Sequence, residues 1–349
     1  MNTGKTICPP FGVKGFNIKR VFTAAPLMFG LAYFAPVAQA ADCGAVTIAS
    51  MNWASAELLA EVDKFVLQNG YGCDASIVLG DTVPTLTSMA EKGKPDVAPE
   101  SWTSLRPPIT VQNIQEGKLM IASKAFADGG VQGIYVPKFI VEQNPEIKTI
   151  ADAIKHPELF PDPEEPSKGA WSAGQQGWGG TIIASQYYKA FKAKDAGFNL
   201  VDTGSAAGHD GSLIHAYERK KGWIGYYWGP TSLLGKYEMV RLPAGVPYDE
   251  AEWNRCNKVE KCPDPKPNEW PSDEVNTIVT KSFADRAGPA YKYLTTRSWP
   301  NAVVSRMLAW MADNQATGED GAKQFLKKHP EVWSSWVDPA VAEKINAAL

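Results

Sequence analysis

Apolar and polar positions fall into two alternating registers along the chain. Short runs of apolar residues, four to six long, alternate with longer stretches in which apolar residues recur every three or four positions. Val46–Ser50 reads as a first strand. Leu58, Leu59, Val62, Phe65, Val66 and Leu67 then recur at helical spacing up to Asn69-Gly70. Strand Ala75–Leu79 and a helix near Thr85–Lys92 repeat the unit. A third short strand ends at Trp102, and Leu119–Phe126 and Gly133–Val136 read as two more. Further on the pattern predicts a helix from Ile147 to Ala153, a helix from Thr181 to Lys192, strand Asn199–Val201, a helical run Ser212–Lys221, an aromatic strand from Trp223 to the Gly229-Pro230 turn, and a return strand Tyr237–Leu242. From Ala284 to Leu349 the pattern is mostly helical, and Trp299, Trp310, Trp333 and Trp336 sit there among apolar neighbours as core residues. Strand–helix alternation predicts parallel sheets covered by helices, an α/β protein.

In an open α/β sheet, ligands bind beyond the carboxyl ends of the strands. Trp53, Trp102 and Trp228 fall at such ends, and Trp178 lies in the Gly-rich turn Ser172–Thr181 that opens a helix. The same rings can simply fill a core. Their shared position at strand ends and turns favours a ligand site, and Glu100 lies two residues before Trp102. Ser205 and Asp210, in the small-residue turn before the next helix, suit capping or a ligand hydrogen bond.

The chain has 349 residues, long enough for two domains. Residues 1–40 read as a secretory signal peptide: Lys5, Lys14, Lys19 and Arg20, then apolar Val21–Val37, then Ala38-Gln39-Ala40 as the cleavage site. Beyond it no stretch is long and apolar enough to span a bilayer. The formal charge of −3 includes the basic leader, so the exported part is more acidic still. This acidity argues against nucleic acid or an anionic membrane surface as partner. Once Cys8 leaves with the leader, Cys43, Cys73, Cys256 and Cys262 remain, an even number in an exported protein. Cys43 and Cys73 each precede a strand, so a bridge is easy if those strands are parallel neighbours, and Cys256 and Cys262 would close a small loop. Zinc is the alternative, against which the spacings speak.

The segment 247–273 differs in composition, with five prolines and the second cysteine pair. It reads as an inserted loop, and Asn257, Asp264 and Glu269 there are candidate oxygen ligands for a structural calcium ion. No catalytic motif stands out. There is neither a G-x-S-x-G elbow nor H-E-x-x-H, and an exported hydrolase using Glu100, His209 and Asp210 is the alternative function. A set of indole faces instead suits a methylated ammonium group, whose charge is spread over methyls that cannot donate hydrogen bonds.

On Val46–Trp53, Asp96–Trp102, the turn Gly204–Gly208 and Trp223–Pro230, together with Phe325–Trp336, the chain resembles the glycine betaine/choline-type substrate-binding proteins of ABC importers. That resemblance implies a two-lobed periplasmic-binding-protein fold (type II-like) with the ligand in the cleft between lobes. It implies lobe one at 41–136, lobe two at 137–242, and a return to lobe one over 243–349 that carries the inserted disulfide loop at 247–273. Carried over by position, Trp53 and Trp102 form the first-lobe walls of an aromatic cage and Trp178 and Trp228 the second-lobe walls, with Trp223 and Tyr227 in reserve. Glu100 balances the cationic nitrogen or, protonated, donates to an oxide oxygen. The insertion is similar to that of the trimethylamine N-oxide-binding branch. The expected role is capture of a methylated amine in the periplasm by a monomer that docks to a membrane permease. Trimethylamine N-oxide ranks first as ligand and glycine betaine or choline second, and no catalytic residue or required cofactor is expected.

Overall fold

The structure, a computed structural model, describes residues 43–349 together with Gly4. The expected signal peptide and Cys8 lie outside the described residues, Gly4 apart. Among the described residues ten strands form two five-stranded sheets: β1 (Ala45–Met51), β2 (Asp74–Gly80), β3 (Val97–Trp102), β4 (Leu119–Lys124), β5 (Val131–Pro137), β6 (Gly169–Gly174), β7 (Phe198–Asp202), β8 (Ile224–Gly229), β9 (Met239–Leu242) and β10 (Val275–Thr280). The first sheet has the order β2-β1-β3-β10-β4 and the second β7-β6-β8-β5-β9.

The expected parallel sheets are in fact mixed. β2, β1 and β3 run parallel, as do β7, β6 and β8. β10 is antiparallel to both β3 and β4, and β5 to both β8 and β9. The reason is the path of the chain. It leaves the first sheet after β4, enters the second as β5, and returns as β10, so each sheet contains one strand that starts at the crossing and runs away from it. Gly130 and Asp273 mark the crossing, where they exchange backbone hydrogen bonds of 2.9 and 3.3 Å. The sheets therefore divide the chain at Val131, before the expected boundary at 137.

Helix Ala54–Tyr71 buries Leu58, Leu59, Val62, Val66 and Leu67, the face its spacing predicts. Cys43 and Cys73 are bridged, with Cα atoms 5.2 Å apart. The bridge is short because β1 and β2 are parallel neighbours in register from Ala45 and Asp74, one or two residues beyond it. Helix Ala206–Glu218 starts earlier than its apolar spacing predicts, because Ser205 caps it by accepting from Gly208 N at 3.0 Å. Trp299, Trp333 and Trp336 are buried core residues, while Trp310 is half-buried against the core. Among the described residues no helix is long and apolar enough to cross a membrane.

The insertion is not a free loop. Its Cys256–Cys262 disulfide is present, and Trp253 and Trp270 are buried. It lies along the second lobe: Tyr187 Oη donates to Asn268 O at 2.6 Å and Gln186 Nε2 to Val259 O at 2.5 Å. It also touches the first lobe, through Trp253 Nε1 and Ser104 O at 3.4 Å.

Candidate functional site

The carboxyl ends of the parallel strands in both sheets face the cleft. Trp53 follows β1, Trp102 ends β3, Trp178 follows β6 and opens helix Gly179–Ala190, and Trp228 lies at the end of β8. Together with Thr82, Leu105 and Tyr226 these four indoles line one small, partly open cavity. The rings meet at steep angles. Trp178 stands edge-on to Trp228 at 5.1 Å between centroids and to Trp53 at 6.3 Å, while Tyr226 stacks on Trp228 at 5.7 Å. Edge-to-face packing turns ring faces in different directions, the arrangement that surrounds a compact cation.

Glu100 ties the first-lobe walls together. Its Oε1 accepts from Trp53 Nε1 at 2.7 Å, Trp102 Nε1 at 2.8 Å and Ser55 Oγ at 3.1 Å. The residue is 1% exposed, and its Oε2 is buried without a hydrogen-bond partner. Burial pushes its carboxyl up to about 7, against the pull of the three donors and of the Arg297 charge. β3 bulges here: its pairing with β10 shifts between Asn276 and Ile278. Pro99 has no N–H for the ladder, and its carbonyl is taken by Thr277 Oγ1 at 3.1 Å and Arg297 Nη2 at 3.3 Å. Arg297 is itself fully buried and paired with Asp63 at 2.8 Å.

Walls of both lobes rest on close approaches to glycine. A Cβ on Gly180 would lie 2.1 Å from the Tyr226 ring, and one on Gly130 2.1 Å from the Trp102 ring. Tyr226 is held from three sides. Its hydroxyl donates to Gln132 Oε1 at 2.6 Å, Trp270 of the insertion stacks behind it at 5.5 Å, and Trp228 stacks beside it. Gln132 Nε2 in turn donates to Asp273 Oδ2 at 2.5 Å and Ser104 Oγ at 3.2 Å, so the wall is hydrogen-bonded to the crossing between lobes.

The four indoles expected as walls thus line one cavity, with Glu100 behind two of them. The reserves do not line it: Trp223 Nε1 donates to Ser212 Oγ at 3.0 Å and Tyr227 Oη to Asp210 Oδ1 at 2.7 Å. Tyr226 lines the cavity instead, and the period-2 alternation of a strand, which sets it on the same face as Trp228, is the signal for it. The hydrolase residues find separate partners. Asp210 takes Tyr227, and His209 is fully buried with Nε2 at 2.7 Å from the carbonyl of Tyr226. Burial depresses the His209 imidazole to about 4, so it is neutral and Nε2 carries the proton it donates. The calcium ligands are likewise scattered. Asn257 bonds to Asn268 and to Lys266 O, Asp264 to Arg255, and Glu269 to Arg241 and Ala244 N. Each carboxylate already has a cation or donor, which is why they do not converge on an ion. The cysteines beside Asp264 are joined to each other and offer no thiolate.

Residues 44–328 match the family model described as the substrate binding domain of ABC-type glycine betaine transport systems. None of the curated proteins matches this chain significantly. Solved structures share the fold at low identity. The glycine betaine, L-proline-binding protein of Borrelia burgdorferi is 18% identical with a TM-score of 0.65, over 86% of this chain and 99% of that one. Lactococcal OpuAC in its closed form with glycine betaine is 20% identical with a TM-score of 0.62, over 84% and 100%. A choline-binding protein of an ABC transporter, in complex with choline, is 16% identical with a TM-score of 0.68, over 88% and 98%.

Proposed function

We propose, for a chain that belongs to the family of substrate-binding domains of ABC-type glycine betaine transport systems, that the indole cage captures a small methylated amine, with trimethylamine N-oxide first and glycine betaine or choline second. Proteins of this family are the ligand-binding components of ABC importers, not enzymes, and an exported chain and a permease partner follow from that membership. The leader cleaved after Ala40, the periplasm as its destination and a monomeric state complete the reading.

One observation carries the choice of ligand. The cavity lining is aromatic and apolar apart from Thr82, it includes no basic side chain, and the buried acid next to it is Glu100. A betaine carboxylate needs several donors, whereas a trimethylated nitrogen needs ring faces. Three or four rings at about 0.5 to 2 kcal/mol each, with methyl burial at about 0.8 kcal/mol per carbon, reach the roughly 8 kcal/mol of a micromolar complex when the cage is preorganised. In this reading Glu100, which stands behind Trp53 and Trp102 with Oε2 buried and unpartnered, serves the ligand as a carboxylate that balances a cation or, protonated, as a donor to an oxide oxygen.

Titration of intrinsic Trp fluorescence with trimethylamine N-oxide, glycine betaine, choline and a neutral tert-butyl analogue tests this. Saturable change with the methylated amines and little with the neutral analogue is the expected result. No response to any of them from folded protein would sink the cage reading.

A further inference from the structure

Four hydrogen bonds cross the cleft beside the cage. Asn52 Oδ1, just after β1, accepts from Trp178 Nε1 at 2.9 Å and from Gln175 Nε2 at 3.0 Å. Asp81 Oδ1, just after β2, accepts from the same Gln175 Nε2 at 2.8 Å. Val83 N donates to Gly177 O at 3.1 Å. The acceptor side chains belong to the first lobe and the donor side chains to the second, so every side-chain bond is lost if the lobes part.

Asp81 occupies the N-cap position of helix Thr82–Lys92, yet its side chain makes no cap bond there. Aspartate at that position ordinarily accepts from its own helix. Here the carboxylate reaches across to Gln175 instead. This set is distinct from the Gln132–Ser104–Asp273 contacts, which sit at the Gly130–Asp273 crossing and so move least when the lobes swing. It also fixes the orientation of a cage wall, because Asn52 holds the indole N–H of Trp178 itself.

We propose that Asn52, Asp81 and Gln175 form an interlobe latch that positions Trp178, so that the cage is completed by lobe closure and a bound ligand leaves only after the latch opens. The proposal rests on the ligand reading above only for the identity of the ligand. The latch itself is made of protein groups alone and forms without a ligand. Asn52, Asp81 and Gln175 are positioning residues, since each acts through Trp178 or its turn.

The test uses Asn52→Leu, of similar size without the acceptor, and Asn52→Asp, which keeps an acceptor oxygen. Stopped-flow fluorescence with the methylated amine that the wild type binds gives both rate constants. Asn52→Leu is expected to raise the dissociation rate on the order of 10-fold, because the indole N–H of Trp178 loses its Asn52 acceptor and Gln175 Nε2 keeps only Asp81, with the association rate changed less than about threefold. Asn52→Asp should recover most of that loss. An unchanged dissociation rate, or an equal loss in both variants, would overturn the latch. If the wild type binds none of the methylated amines, the ligand reading fails and the latch is read without ligand. Exchange of the Trp178 indole N–H, assigned by its absence in Trp178→Phe, should then be slow in the wild type and in Asn52→Asp and at least tenfold faster in Asn52→Leu. Fast exchange in the wild type, or equal protection in Asn52→Leu, would overturn it.

Discussion

The indole of Trp53 and the carboxyl of Glu100 meet at 2.7 Å, although one follows β1 and the other lies in β3. The bond does two things at once. It fixes the plane of a cage wall, and together with Trp102 and Ser55 it occupies one carboxyl oxygen while leaving the other buried without a partner. A buried carboxyl in that state is poised between charged and neutral at neutral pH.

That poise predicts opposite pH dependences for two ligands. A permanent cation such as choline favours ionised Glu100. Below pH about 7 the acid holds a proton that must leave on binding, so the Kd should rise toward tenfold per pH unit. An N-oxide that accepts a hydrogen bond favours protonated Glu100, and its Kd should rise as pH climbs above about 7. Calorimetry from pH 6 to 8.5, in two buffers of different ionisation enthalpy, separates the cases through proton release or uptake. Glu100→Gln should flatten both profiles, weaken choline on the order of 10-fold and spare the oxide, since an amide still donates. Identical pH profiles for both ligands in the wild type would exclude Glu100 as the discriminating group.

Removing single walls should grade the cage. Trp178→Ala or Trp228→Ala should weaken binding about 10- to 100-fold, as expected for a desolvated ring contact with its buried area. Each Trp→Phe should recover part of that. Tyr226→Phe keeps the ring but strands Gln132 Oε1, so it should cost about 1–2 kcal/mol of folding stability with a smaller change in affinity. Isothermal titration and thermal melts on the same preparations separate the two effects. Equal affinity for wild type and Trp178→Ala would remove Trp178 from the cage.

Much of this site is legible in the sequence, because the four tryptophans sit where strands end and helices begin, and that edge is fixed by α/β architecture. What is hidden follows from contacts distant in sequence. Tyr226 was readable from strand alternation with Trp228. Asn52 and Gln175 were not, since each is an ordinary turn residue until the other lobe supplies its partner. The mixed sheets were hidden because β5 and β10 take their direction from the crossing between lobes rather than from their own residues. The acids of the insertion suggested a metal because Arg241 and Arg255, which neutralise Glu269 and Asp264, carry no local mark of that role.

Gly180 sits beneath the ring of Tyr226 at a distance that excludes a methyl group. Gly180→Ala should therefore push Tyr226 away from Trp228, cost about 1–3 kcal/mol as an overpacking change and weaken ligand binding at least severalfold. Gly130→Ala should act in the same way on Trp102 at the crossing. Melting curves and titrations of both variants check this. Unchanged binding by Gly180→Ala would mean that the Tyr226 wall tolerates displacement.

The two disulfides should separate stability from binding. Cys43–Cys73 spans 30 residues, and by loop entropy its loss should cost about 3.6 kcal/mol, against about 2 kcal/mol for Cys256–Cys262, which spans 6. Their surroundings differ more than their loop lengths. Cys43 and Cys73 join the outer starts of β1 and β2, away from the carboxyl ends that carry Trp53, so their replacement by Ala should lower the melting temperature and leave affinity within about twofold. Cys256 and Cys262 lie in the segment that carries Trp253 and Trp270 to the back of Tyr226. Their replacement should loosen that support and raise the Kd by more than the first pair does, despite the smaller loss of stability. The reverse order, with affinity following the Cys43–Cys73 pair, would show that the insertion plays no part in holding the cage wall.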